Sequence, residues 1–128
     1  MEIKSKGSAI WGIVLMILAI TGGAMGAHAL EKVLTEQLLE SYQTGVDYML
    51  YMGLSLLLLS LWPKELVKVG TVLIKAGVVL FSGSIFGLVF LKNGGGDAPI
   101  PLVIATPVGG TLMIAGWIVL LLKVALRK

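Results

Sequence analysis

The sequence predicts an all-α polytopic membrane protein, with four transmembrane helices packed into one compact bundle. Hydrophobic residues make up 57% of its 128 residues and charged residues only 13%, against about 25% charged residues in soluble domains. A soluble protein of this size exposes much of its surface and needs a polar shell, which this composition does not supply. Four apolar stretches also approach the roughly 20 residues that cross a bilayer. We therefore expect one membrane-embedded domain over residues 1–128.

The four predicted spans cover residues 8–29, 44–62, 70–91 and 101–122. The first contains no Asp, Glu, Lys or Arg, and the second ends before Pro63. The third carries Lys75 near its start, where a long lysine stem reaches the headgroups. The fourth contains Pro107, which removes one helical N–H and frees a carbonyl.

The basic residues predict the orientation of these spans. With four spans, Lys32 and Lys92 fall on one face of the membrane, and the other Lys and Arg residues fall on the opposite face: Lys4, Lys6, Lys64, Lys68, Lys75, Lys123, Arg127 and Lys128. Cytoplasmic loops carry the excess of Lys and Arg. We predict a multi-pass protein of the cell membrane, the inner or cytoplasmic membrane of a bacterium, with both termini in the cytoplasm.

The first span also resembles a secretory signal peptide. Lys4 and Lys6 precede an apolar run, and Ala27-His28-Ala29 imitates a small-residue cleavage site. We favour retention, because the run extends to Ala29 and is long enough to span a bilayer.

The most polar stretch, residues 31–42, lies between the first two spans. Its apolar residues recur at helical spacing, and its charged residues cluster on another face. This pattern predicts either a short amphipathic helix on the outer membrane surface or a solvated helical connection.

Small residues predict where the helices pack. Such residues let backbones approach closely in lipid, and the candidates are Gly22, Gly23, Gly26, Gly83 and Gly87. We favour packing within one bundle over contact between two copies of the chain.

Polar residues of different spans are predicted to meet in the outer half of the bundle. The candidates are His28, Gln43, Thr44, Asp47, Ser82, Ser84 and Thr106, with His28 and Asp47 expected to lie closest together. Such a cluster would bind a lipid headgroup or a small ligand, or satisfy the backbone that Pro107 disrupts. We favour the structural role.

Several classes of function lack the residues that they need. The chain has no cysteine and one histidine, and the spacings typical of metal sites are absent. We therefore expect no catalytic residue, metal or cofactor, and no enzyme. Nucleic-acid binding is not expected either, because the basic residues are scattered and no aromatic platform accompanies them.

Five short motifs occur in a fixed order along the chain. They are GGAMGAHAL from Gly22, YQTGVDY from Tyr42, LFSGS from Leu80, TPVGG from Thr106, and Gly116-Trp117. Together they resemble the domain-of-unknown-function 423 (DUF423) family, the YgdD-like small integral membrane proteins. The resemblance covers nearly the whole chain and implies a membrane protein of unassigned activity.

The function that these features favour is a non-enzymatic structural, lipid-interacting or partner-binding membrane component. Its partners would be membrane lipids, with a second copy of the chain or another membrane protein as further candidates. The alternative is a small oligomeric transporter or channel subunit, but coupled carriers use a carboxylate well inside the membrane. Asp47, near an end of the second span, is the only carboxylate within the four spans. A polar path through the molecule would favour transport, and a dry apolar core would not.

Overall fold

The computed structural model describes residues 1–128 as four α-helices joined by short connections. Their bounds are α1 Lys6–Ala27, α2 Glu36–Leu59, α3 Lys64–Asn93 and α4 Ile100–Ala125. The shortest, α1, has 22 residues and the longest, α3, has 30. At 1.5 Å per residue, these lengths correspond to about 33 and about 45 Å, so every helix exceeds the roughly 30 Å of hydrocarbon in a bilayer.

Capping residues and prolines set the first residue of each helix. The side chains of Ser5 and Thr35 each accept a hydrogen bond from the backbone N–H three residues later, at the starts of α1 and α2, which satisfies a donor that the helix leaves free. Pro63 and Pro99 directly precede α3 and α4, because proline fits the start of a helix and lacks an N–H. The helices therefore begin upstream of the predicted apolar spans.

No separate amphipathic helix lies between α1 and α2. Residues Leu30–Lys32 form one 3₁₀ turn, and residues 36–42 are the first two turns of α2. No proline separates Glu36 from the apolar part of α2, so the helix that Thr35 caps continues to Leu59. The polar stretch is thus an extension of α2.

Three of the helices are long and apolar enough to cross a membrane, within residues Lys6–Lys32, Lys64–Asn93 and Ile100–Ala125. The sequence predicted four such helices. The remaining helix, α2, has the length but a more polar first half, which includes Gln43, Thr44 and Asp47.

The helices form a row rather than a closed bundle. Helix α1 packs on α2, α2 on α3, and α3 on α4, while α1 and α4 make no extensive contact. Neighbouring helices are antiparallel: Gly12 near the start of α1 faces Gly53 near the end of α2. The prediction of one compact bundle is corrected in this respect, because α2 and α3 each pack on two neighbours and the outer helices on one.

The closest backbone approaches occur at pairs of facing glycines: Gly12 with Gly53, Gly70 with Gly116, and Gly77 with Gly109. A Cβ atom added at Gly109 would lie 2.6 Å from the carbonyl oxygen of Gly77, and one added at Gly116 would lie 2.8 Å from that of Gly70. These distances leave no room for a side chain. Dispersion contacts between such close backbones hold helices together in lipid.

The glycines that the sequence proposed for packing differ in their surroundings. Gly22, Gly23 and Gly26 face side chains of α2, and Gly87 faces a side chain of α4. Gly83 packs against no helix of this chain, since a Cβ atom there would meet nothing within 4 Å. That face of α3 is turned toward a groove instead.

The buried core is apolar from one end of the row to the other. Its members include Leu15, Met49, Leu56, Ile74 and Met113. The buried polar residues carry hydroxyl groups only: Ser8, Ser60, Thr71, Ser82 and Ser84. The core therefore holds no Asp, Glu, Lys, Arg or His side chain.

The N-terminal segment is attached to the connection between α2 and α3. The backbone N–H groups of Lys4 and Ser5 donate to the carbonyl oxygen of Ser60, at 2.8 and 3.0 Å. This contact brings Lys4 to the end of the molecule where α3 begins at Lys64. Basic residues from separate parts of the sequence thus share one end of the fold.

Candidate functional site

The polar residues proposed for one outer cluster are divided among separate contacts. Ser82 on α3 donates to the carbonyl oxygen of Gly45 on α2 at 2.7 Å. Ser84, two residues further along, lies 2.6 Å from the hydroxyl of Thr106 on α4. Both serines are buried, and together they link α3 to the helices on its two sides.

The remaining members of the proposed cluster lie on or beside α2. The side-chain amide of Gln43 donates to the carboxylate of Asp47 at 3.1 Å, a pair one helical turn apart. Thr44 donates to the carbonyl oxygen of Glu40 in its own helix. His28 is exposed at the end of α1, and no hydrogen bond joins it to Asp47, whose partner is Gln43.

Tyr42 is a structural residue that the sequence analysis did not select. Its hydroxyl donates to the carbonyl oxygen of Gly22 on α1 at 2.7 Å. Its ring lies 5.3 Å from the ring of Phe86 and 6.2 Å from that of Phe90, both on α3. The available signal was an aromatic residue near the start of α2, together with the small residues Gly22 and Gly26 near the end of α1.

An apolar groove lies between α1 and α3, with α2 as its floor. We call it the α1–α3 groove, and it has a volume of about 440 Å³, within the range of small-molecule sites. Most of its lining is apolar, and the residues that define it include Leu18, Met25, Met49, Val79, Gly83 and Phe86. The bare backbone of Gly83 leaves the groove open on the α3 side.

Two of the three hydroxyl side chains in the α1–α3 groove already have hydrogen-bond partners within the protein, and the third belongs to Thr21. The Tyr42 hydroxyl is bonded to Gly22 and the Ser82 hydroxyl to Gly45. A group already bonded offers little to a polar ligand, and an apolar ligand loses nothing by passing it. The arrangement favours hydrocarbon as the occupant.

A second groove lies between α2 and α4, with α3 as its floor, and we call it the outer groove. It has a volume of about 320 Å³, and the residues that line it include Leu38, Ile85, Lys92, Val103 and Pro107. A third cavity, between α1 and α2, is bordered by Glu31 and Glu40. Nowhere does the structure bring three His, Asp or Glu side chains together in a way that could hold a metal ion.

The fold and composition together define a small helical membrane protein, with long apolar helices and an apolar core. The family model described as "Protein of unknown function (DUF423)" matches residues 22–110. The chain therefore belongs to the DUF423 family, as its motifs indicated.

Relatives are found in distant organisms and carry the same description. The UPF0382 membrane protein YwdK of Bacillus subtilis is 35% identical, over 87% of this chain and 89% of its own length. A UPF0382 membrane protein of Schizosaccharomyces pombe is 36% identical over 88% and 98%, and one of Haemophilus influenzae is 31% identical over 81% and 86%. No solved structure matches the chain. These relatives are named as membrane proteins, and their names assign no activity.

Proposed function

We propose that the chain crosses the cell membrane four times, with both termini in the cytoplasm. Helices α1 and α3 both start from the basic end of the fold, so they run in the same direction. If both cross the bilayer, the segment between them must return across it. Helix α2 is the only element long enough to do so, with 24 residues, or about 36 Å.

Packing explains how the more polar helix α2 is accommodated. It lies between α1 and α3, so its inner faces contact protein instead of lipid. Gln43 and Asp47 bond to each other in the outer half of the helix, where a carboxylate is less costly than at mid-bilayer. The basic end of the fold then faces the cytoplasm by the positive-inside rule.

Single cysteines test this topology, because the natural chain has none. We expect Glu31→Cys and Asp97→Cys to react with a membrane-impermeant maleimide in intact cells. Glu65→Cys and Lys128→Cys should react only after lysis. Equal labelling at Glu31 and Glu65 would show that α2 does not cross.

We propose further that the protein is a non-enzymatic, lipid-interacting membrane component whose α1–α3 groove holds a hydrocarbon chain. The single observation that carries this proposal is the groove itself, apolar, about 440 Å³ in volume and open at Gly83. The groove is too small to hold a transmembrane helix, which is about 10 Å across with its side chains. A lipid tail suits it better than a partner helix.

The transporter alternative has no comparable support. The core is apolar, and the buried polar residues carry only hydroxyl groups. Asp47, the one carboxylate within the spans, is partly exposed and bonded to Gln43. A coupled carrier uses a deeper, isolated carboxylate.

A photoreactive phospholipid, with a diazirine in its acyl chain, tests the lipid proposal in reconstituted vesicles. We expect crosslinks to groove residues such as Met25 and Val79 in the wild type, and their loss in Gly83→Leu, whose side chain would occupy the groove. Gly7→Leu is the matched control, since Gly7 also has no neighbour within 4 Å but lies outside the groove.

Two results would contradict the proposal. Crosslinks spread evenly over the exposed faces of α1 and α4, and unchanged in Gly83→Leu, would mean that the groove holds no preferred chain. Crosslinks between two copies at groove residues would replace the lipid by a second protein molecule as the occupant.

A further inference from the structure

The outer groove has a different chemical character from the α1–α3 groove. Its apolar lining includes Ile85 on α3, Leu38 on α2 and Val103 on α4. Lys92, in the last turn of α3, borders its upper end. Ile85 and Lys92 are seven residues apart, so the groove extends about 10 Å along the helix axis.

The outer groove and the cavity between α1 and α2 differ in the charge of their lining residues. Lys92 is the only charged residue that lines the outer groove. The carboxylates of Glu31 and Glu40 border the separate cavity between α1 and α2. The outer groove therefore presents one positive charge above an apolar slot, which complements a ligand with a negative head and an apolar tail.

Val103 and Pro107, four residues apart on α4, both line the outer groove. Pro107 has no N–H, so the carbonyl of Val103, four residues earlier, lacks its helical donor. The Thr106 hydroxyl lies 2.6 Å from that of Ser84, so the two share a hydrogen bond. The Thr106 hydroxyl thus has a partner on α3, and we take the Val103 carbonyl as the acceptor for a hydroxyl group of a ligand.

We propose that the outer groove is a binding site for an anionic glycerophospholipid. The part of an acyl chain nearest the headgroup lies against Ile85 and Val103. The phosphate accepts a hydrogen bond from the ammonium group of Lys92, and a headgroup hydroxyl donates one to the Val103 carbonyl. The proposal rests on the topology given above, which places the end of α3 at headgroup level. It is independent of what the α1–α3 groove holds.

Competition between two lipids tests the site directly. The delipidated protein is mixed with phosphatidylglycerol and phosphatidylcholine of identical acyl chains, and bound lipid is counted by native mass spectrometry. We expect the wild type to prefer phosphatidylglycerol, and Lys92→Gln to reduce that preference by about fivefold, the factor typical of one basic residue at a lipid surface. Lys32→Gln is the matched control, being the other lysine at this end.

Leu88→Trp provides a second variant that leaves the charge in place. Leu88 lines the groove and is half-buried, so a larger side chain there should displace the lipid of either headgroup. The wild-type preference should then fall as it does in Lys92→Gln, because the preferred lipid no longer enters.

Each other outcome has a defined meaning. Equal losses in Lys92→Gln and Lys32→Gln, or no loss in Lys92→Gln, would overturn the site in favour of general surface attraction. Acyl-chain crosslinks at Met25 that persist without any preference for phosphatidylglycerol would reject this inference and leave the proposed function standing. Loss of the preference in Gly83→Leu alone would place the anionic lipid in the α1–α3 groove and so contradict our proposal.

Discussion

Gly77 offers the sharpest test of the packing described above, through its replacement by alanine. The added Cβ atom would lie 2.7 Å from the carbonyl oxygen of Gly109 and 2.7 Å from the backbone N of Met113. Ordinary contact begins at 3.4 Å, so α4 must move away by about 0.7 Å. Both opposing atoms belong to the backbone, and no change of rotamer can relieve the overlap. We expect a loss of about 1–3 kcal/mol in the free energy of unfolding, the usual cost of overpacking.

Gly83→Ala is the matched control on the same helix, because its Cβ atom would meet nothing within 4 Å. We expect it to be neutral or to stabilise the protein by up to about 1 kcal/mol, since alanine favours a helix over glycine. The assay is reversible unfolding in mixed detergent micelles with increasing dodecyl sulfate, followed by circular dichroism. Equal unfolding free energies for the two variants would refute the close approach of α3 and α4.

Three further predictions concern hydrogen bonds. Ser84→Ala and Thr106→Ala should show a coupling energy of about 0.6–1.7 kcal/mol in a double-mutant cycle, as hydrogen bonds between membrane helices do; additive losses would mean that the two hydroxyls are not bonded. Tyr42→Phe should destabilise the protein by about 1 kcal/mol in the same unfolding assay, and an unchanged free energy would argue against its bond to α1. His28→Ala and Asp47→Ala should be additive, because the structure joins them by no hydrogen bond, and strong coupling would restore the pairing that the sequence suggested.

The helices could be predicted well because their cause lies in the sequence. Long apolar runs, and caps such as Thr35, determine the segments locally. The prediction of a separate helix over residues 31–42 was not confirmed, also for a local reason. The apolar positions of this segment continue in phase with those of α2, and Tyr42 is buried as part of that helix. Periodicity identifies a helical segment but does not show where one helix ends and the next begins.

It was harder to predict which neighbouring helix each side chain contacts. Depth along the span placed Ser82 and Ser84 at nearly the same level. Side chains two positions apart on a helix, however, point about 200° away from each other. One therefore bonds α2 and the other α4. Depth estimates alone cannot assign such partners.

One packing signal was present and overlooked. Gly70 and Gly77 are seven residues apart, as are Gly109 and Gly116, and two helical turns place such residues on one face. Gly83 and Gly87 are only four residues apart on α3, and Gly83 contacts no other helix. The seven-residue spacing, repeated on two helices, was the better guide to α3 and α4.

The row of helices has a consequence for how the chain enters a membrane. It consists of two helical hairpins, α1 with α2 and α3 with α4, and each has its own glycine contacts. The first hairpin can complete its internal packing before the ribosome has made the second. Under the proposed topology each insertion event moves only a short connection across the bilayer, residues 28–35 and then residues 94–99, while the lysine-rich ends stay behind.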